Sequence, residues 1–398
     1  MDRKHWRCIL VPQTILTQGG YASIRLMAGY RALDQGADLP FLGVVVSALA
    51  LPALLISLPA GRLSDRIGGT KLILTGIVVT AASIMFTVFL PGLPMLLVAA
   101  AGSGLGGTLV VIGNQTYVAR VGRDSPDGAF GILSASASLG QMTGPALVAF
   151  AATLDPGSDL IHPNTVVGFC VCALLYLLGI PFSIFEHRIE RGLPIDRIQP
   201  GQNQRKNQAR DVLRKKGLWR AVLVSGAVLV TIDLMYSFVP VWATAQGIGA
   251  TTVGFLLSLR AGVSVISRVG LAKATALIGR RAVLIISIAG AAIGAFAFPF
   301  ASTLGAIVVM IVMGFGLGTP QPLTMSWVVS LTSPAQHGTA LGLRLTANNL
   351  AQLCFPALIS TLASPFGVLG IFWSTGLLLC SSLLLVAPRD PDPHPGGR

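Results

Sequence analysis

Apolar runs of about 20 residues recur from one end of the chain to the other, broken by short polar stretches. Two of them, LGVVVSALALPALLISLP (42–59) and LILTGIVVTAASIMFTVFL (72–90), flank the charged segment GRLSDRIGGTK (61–71). Twelve such runs are centred near residues 22, 50, 81, 106, 140, 175, 231, 262, 291, 316, 350 and 377. A helix of that length crosses a hydrocarbon core about 30 Å thick. The alternating segments of about ten residues that a membrane barrel needs are absent. The pattern predicts an all-α membrane protein with twelve transmembrane helices. The first run, from Ile9, carries Gln13, Gln18 and Arg25 with no small-residue cleavage site after it, so it is expected to span rather than be removed.

The longest polar stretch, HRIERGLPIDRIQPGQNQRKNQARDVLRKKG (187–217), combines Pro, Gly, Gln and dense charge, as a solvated linker does. It divides the chain into residues 1–186 and 218–398, with six runs in each. The end of the linker is expected to form a short interfacial helix with Leu213, Leu218 and Trp219 toward lipid. The two halves match at a constant shift of 211 residues. Pro145, Ala146 and Leu147 fall on Pro356, Ala357 and Leu358; Gln141 falls on Gln352 and Gly131 on Gly342. The same shift carries Gly43 to Gly254, Ser47 to Ser258, Ile67 to Ile278 and Gly68 to Gly279. One offset serving several helices is an internal repeat, which predicts two pseudo-symmetric six-helix bundles. Parallel repeats of this size are a transporter architecture with the substrate site at the repeat interface near the midplane.

Composition agrees: of 398 residues 53% are hydrophobic and only 11% charged, against roughly 25% charged in soluble domains. The net charge of +13 raises the question of nucleic acid, and its distribution answers it. Of the 28 Lys and Arg residues, 24 fall on one side of the twelve runs, ten of them in 188–220. That bias predicts cytoplasmic N- and C-termini and contact with anionic lipids, not nucleic acid. The abundance of Ala, Gly and Arg points to a bacterial inner membrane. Cys8, Cys170, Cys172, Cys354 and Cys380 lie in or beside apolar runs and are expected to pack rather than pair or bind metal. His5, His162, His187, His337 and His394 are scattered, and no phosphate loop or catalytic triad is present. No cofactor, metal or enzymatic activity is expected.

The charged segment resembles the loop between helices 2 and 3 of the major facilitator superfamily, whose signature G-x-L-x-D-R-x-G-x-x-K/R is matched by Gly61, Leu63, Asp65, Arg66, Gly68 and Lys71. The resemblance extends over the chain through the twelve runs, the repeat and the basic linker. It implies that Asp65 latches one half to the other in the outward-facing state, with Gly61, Arg66 and Gly68 shaping the turn. A topology anchor alone accounts for Arg62 and Lys71 but not for Asp65. The second half has Ala272 and Ala276 at the Gly61 and Asp65 positions, so the latch is one-sided. GQMTGP (140–145) is similar to the G-x-x-x-G-P core of the family's antiporter motif. Gly140 and Gly144 offer a flat packing face and Pro145 a bend. Val148 and Ala149 replace the glycine pair that continues the motif, which leaves plain small-residue packing as the alternative.

A charge at the centre of a spanning helix costs about 3 kcal/mol even on a lenient scale, so each is a functional candidate. Four stand within the runs: Arg25, Asp233, Arg260 and Arg344; the third, sixth, ninth and twelfth runs carry none, and Asp233 is the only embedded acid. Each belongs to a polar stripe at helical spacing: Gln18, Tyr21 and Arg25; Asp233, Tyr236 and Pro240; Arg260, Ser264 and Ser267; Arg344, Asn348 and Gln352. The repeat sets Asp233 one turn from the level of Arg25, which predicts contact between them. A pair that only fixes packing is the plainer alternative. Arg260 and Arg344 are left without an acid, and a guanidinium fork suits carboxylate, phosphate or sulfate. Asn114, Gln115, Gln321, Trp242 and Trp327 are candidate neutral contacts.

The resulting expectation is a monomeric secondary transporter that works by alternating access. It would move a small organic anion or zwitterion held by Arg25, Arg260 and Arg344, with Asp233 as the proton-sensitive group. A proton-coupled multidrug efflux antiporter for lipophilic or cationic compounds is the alternative. The net embedded charge and the lack of an arginine in the fourth run, GSGLGGTLVVIGNQTYV, argue against it.

Overall fold

The computed structural model describes residues 6–122, 126–155, 160–192, 215, 217–332 and 337–386, and of Leu58, Asp65, Pro126, Asp127, Ala272, His337, Gly338 and Thr339 the backbone only. Among the described residues the secondary structure is helical, without strands. Twelve spans follow one another: α1 (Trp6–Asp34), α2 (Leu39–Ile67), α3 (Gly69–Phe89), α4 (Leu93–Val121), α5 (Pro126–Ala152), α6 (Thr165–Arg191), α7 (Leu218–Ala245), α8 (Ala250–Val269), α9 (Leu271–Ala297), α10 (Thr303–Ser330), α11 (His337–Ala363) and α12 (Gly367–Val386). Nine described stretches are long and apolar enough to cross a membrane, one of them, Ala340–Val386, taking in both α11 and α12. The helices outside that set are α1 and α5, whose sequences carry polar and small residues such as Gln13, Gln18, Arg25, Gly140 and Gly144. The chain is a multi-pass membrane protein.

Helix starts on the face away from the termini (the far face) are closed by side chains that satisfy orphan amides. Asp38 accepts from Phe41 N–H at 2.9 Å, Asn164 from Val166 and Val167, and Ser302 from Gly305. Within the first half α1 packs on α5 and α6, and α3 on α4 and α6. Gly140 and Gly144 do form the expected flat face: they lie against Ile15 and Gly19 of α1 with no room for a side chain. Across the halves the principal contacts are α2 with α11, α5 with α8 and α1 with α7.

These crossings gather toward the far face and obey the repeat. Ser47 Oγ accepts from Ala357 N–H at 3.3 Å; its repeat partner Ser258 accepts from Ala146 N–H at 3.2 Å. Gly43 lies against Pro356 and Ser360, and Gly254 against Pro145 and Ala149. Further out, Ala250 N–H donates to Leu160 O at 2.8 Å. Toward the terminal face, where α1 begins and α12 ends, Gly61, Gly131 and Gly342 have open space where a side chain would stand.

Three expectations need correction. The segment 61–67 is not a loop: α2 continues through it, and the reversal is confined to Gly68 (φ 97°, ψ 150°) before α3 starts at Gly69. Charged residues end an apolar run without ending the helix that carries it. Leu218 does not face lipid; it is buried with Ala221, Val328 and Ala340, while Trp219 beside it is exposed. Cys8, Cys170 and Cys354 are exposed rather than packed inside. Residues 193–214, most of the linker, lie outside the described residues.

Candidate functional site

On α1, Arg25 pairs with Asp233 of α7, the contact the repeat predicts. The guanidinium also stacks over Tyr21, one turn back, with its carbon 4.7 Å from the ring centroid. Gly107 of α4 makes room for that ring, because a Cβ there would stand 2.7 Å from it. The second Asp233 oxygen accepts from Gln352 Nε2 of α11 at 2.6 Å. One carboxylate thus ties α1, α7 and α11 together, buried to 4% exposure. Arg25 keeps 16% of its side chain exposed.

Arg260 of α8 is buried and donates from Nη2 to Tyr236 Oη of α7 at 3.1 Å. It forms no ion pair with Asp233. Arg344 of α11 forms a separate group nearer the terminal face. It stands seven residues into its helix, about 10 Å along the axis. Its Nη2 donates to Gln321 Oε1 at 2.6 Å, Thr324 Oγ1 at 3.1 Å and Gln321 O at 3.3 Å. Gln321 in turn donates to Ser225 O at 3.1 Å. Gln321 stands where α10 is built of two consecutive helices, Thr303–Gly318 and Pro320–Ser330. Among the described residues the ion pairs are Arg25–Asp233 and Arg120–Glu190, so neither Arg260 nor Arg344 faces an acid in a salt bridge. All three embedded arginines leave a buried Nε without a partner. Such a constellation has spare, desolvated N–H donors and a positive balance, which is what recognition of an anionic group requires.

Other sequence candidates are not bonded to these groups. Gln18 is half-buried and Gln115 exposed, while Asn114 and Asn348 are buried with their Oδ1 atoms unpartnered. Trp242 packs on Phe298 with ring centroids 4.5 Å apart, as a core residue. Among the gating candidates, Gly61 and Arg66 are open to solvent or lipid, and the Asp65 side chain lies outside the described residues.

Sequence reasoning missed a second polar centre, at the terminal end of the first half. Glu190 of α6 accepts from Gly69 N–H at 2.8 Å, Thr70 N–H at 3.0 Å, Thr70 Oγ1 at 2.5 Å and Arg120 Nη1 at 3.0 Å. It neutralises the start of α3 and clamps the Gly68 turn to α4 and α6. Four residues earlier Glu186 is wholly buried, so Asp233 is not the only acid inside and the sixth span is not free of charge. Both acids adjoin the start of the basic linker, where hydropathy assigns them to solvent; their four-residue spacing on the helix face that also carries apolar Phe182 and Ile189 was the available signal.

The family profile of the Major Facilitator Superfamily matches residues 10–276 and 242–398. No curated protein matches the chain in sequence at a significant level. Among solved structures, the nucleoside transporter NupG superposes with a TM-score of 0.77 at 13% identity, over 97% of this chain and 98% of that one. A bacterial homolog of the human lysosomal transporter Spinster, inward-facing and occupied, gives 0.77 at 14%, over 96% of each chain. A POT family transporter in complex with 5-aminolevulinic acid gives 0.74 at 15%, over 96% and 94%. At these identities the likeness is one of fold.

Proposed function

The chain belongs to the major facilitator superfamily, and from that premise we propose that it is a proton-coupled secondary transporter of a small organic anion or zwitterion. The observation that carries this reading is an imbalance of charge: of three embedded arginines, each with an unpartnered Nε, Arg25 alone is paired with a carboxylate, Asp233. An anionic substrate would supply the missing charge and take the free donors of Arg260 and Arg344. The occupant of the POT structure, 5-aminolevulinic acid, is a zwitterion of that chemical kind, which supports the class and not the compound.

The contacts support an alternating-access reading. The two bundles, residues 1–186 and 218–398, are clasped at the far face, while toward the terminal face Gly61, Gly131 and Gly342 have open space beside them and Arg268 reaches Ser138 across the halves at 3.4 Å. With the termini in the cytoplasm this is the inward-open state of a monomer in a bacterial inner membrane. Asp233 is the coupling group: a proton on it would release Arg25 and Gln352 together, so that α1 and α11 part from α7 and Arg25 turns to substrate. Asp65 would latch the halves when the terminal face closes.

Thermal stabilisation of the purified protein by candidate ligands, at two pH values, tests the reading. A ligand bound only to the folded state stabilises it by about 2.7 kcal/mol at a hundred times its Kd. Carboxylates or phosphates should raise the melting temperature, and Arg344→Ala or Arg260→Ala should abolish the shift. Stabilisation by lipophilic cations alone, lost in Asp233→Asn, would overturn it in favour of a drug exporter.

A further inference from the structure

Glu186 is 0% exposed, and both its carboxyl oxygens are buried with no hydrogen-bond partner among the described residues. It stands one turn before Glu190 on the same face of α6. Glu190 has taken the donors that this face meets: two amides of α3, the Thr70 hydroxyl and Arg120. Phe182 and Ile189, one turn to either side of Glu186 on α6, belong to the apolar cluster of Trp6, Leu10 and Val121, into which Tyr117 also brings a buried, unpartnered hydroxyl. The charged groups on the packed elements are few. On α4 they are Tyr117 and Arg120; on α6 they are Glu190, His187, whose Nδ1 is 2.8 Å from Thr70 Oγ1, and the exposed Arg188 and Arg191. Lys71 on α3 and Arg7 on α1 are exposed, and the α5 residues in the cluster are apolar.

An isolated carboxylate in such surroundings is costly enough that the group takes up a proton instead. Two carboxyls that share one site do not ionise together. We propose that Glu186 and Glu190 form a proton-binding pair that holds one proton between them, carried by Glu186 while ionised Glu190 clamps the Gly68 turn. The proton comes from water at the terminal face and returns there. If Glu186 gives it up, the new carboxylate needs a donor, and the cation already bound to the pair, through Glu190, is Arg120. Deprotonation therefore draws Arg120 from Glu190 and loosens the turn that joins α2 to α3. This site is separate from Asp233, and its test needs no substrate.

Infrared difference spectra of the purified full chain across a pH step report neutral carboxylic acids through their C=O stretch. At neutral pH the wild type should show such a band, absent from Glu186→Gln and kept in Asp233→Asn. A spectrum that Glu186→Gln leaves unchanged would overturn the pair. Stability against pH gives an independent readout. Glu186 is neutral when folded and ionises in the unfolded chain above the ordinary carboxyl range. The wild type therefore loses stability as pH rises from about 5 toward 8, by up to tenfold in the folding constant per unit. Glu186→Gln lacks that loss, so its advantage over wild type should widen with pH; a difference flat in pH would sink the proposal. Should Glu186→Gln fail to fold, Glu186→Leu asks the pocket for no polar partner and carries both measurements.

Discussion

Gly68 and Gly279 are repeat partners and adopt nearly the same backbone, φ 97°, ψ 150° and φ 81°, ψ 152°. Gly68 closes the reversal between α2 and α3, Gly279 breaks the helical backbone of α9 near its start, and each uses a region of the map that only glycine occupies without strain. Their surroundings differ. The Gly68 turn lies under the Glu190 carboxylate, which binds the two amides that follow and is itself held by Arg120. Gly279 has open space around it, and the repeat partner of Arg120 is Leu331. Beside Gly279, Arg280 reaches Ser330 Oγ at 3.1 Å, a single bond to a neutral group. The turn itself is local and was duplicated with the sequence. The clamp is tertiary, and among the described residues it is seen in the first half. A repeat can therefore preserve a backbone while letting one half hold its turn rigidly and the other loosely.

The strongest way to break this comparison is to remove each anchor. Glu190→Ala leaves the Gly69 and Thr70 amides and the Arg120 guanidinium without their buried acceptor. Losing one partner of such a pair costs about 3–5 kcal/mol, so the melting temperature in detergent should fall sharply. Arg280→Ala removes one hydrogen bond near the surface and should cost no more than about 1 kcal/mol. Equal losses would mean that the clamp contributes nothing beyond an ordinary contact.

Substituting the glycines sharpens the comparison at a smaller scale. Gly68→Ala and Gly279→Ala both force a side chain into the same unfavourable backbone region, for about 1–3 kcal/mol each. At Gly68 the new Cβ would also stand 2.9 Å from Glu190 Oε2 and push the carboxylate off its donors. Gly68→Ala should therefore unfold at the lower temperature of the two. If the two variants melt together, Glu190 moves aside without penalty and the clamp is soft.

Much of the fold was legible because a spanning helix must be apolar for its whole length, and the constant shift then located equivalent positions on different helices. The Arg25–Asp233 contact came from that shift, and so did the repeat pairs Ser47 with Ser258 and Pro145 with Pro356, whose members take equivalent places in two interfaces across the halves. Less was legible where helices leave the apolar zone. Hydropathy cannot tell a charged helix end from a loop, so 61–67 read as a loop and Glu186 and Glu190 as the margin of a linker. Gln321 as the partner of Arg344 was hidden for a different reason: its role depends on which helix faces which, and periodicity fixes only the face of a single helix.

The far face supplies the counter-case, where both repeats do the same thing. Pro145 and Pro356 lack an N–H and disturb the ladder a turn before them. The next residue in each case, Ala146 or Ala357, donates its amide across the interface to Ser258 or Ser47. Ser47→Ala and Ser258→Ala should each weaken closure of that face by about 1 kcal/mol. The two serines sit in separate interfaces, α2 with α11 and α5 with α8, so the double variant should lose about the sum. Spin-label distances across both interfaces would report each loss as a roughly fivefold gain of the separated population. If one serine accounts for the whole effect, the clasp is symmetric in geometry but not in energy, and the two halves differ at the far face as they do at the glycine turns.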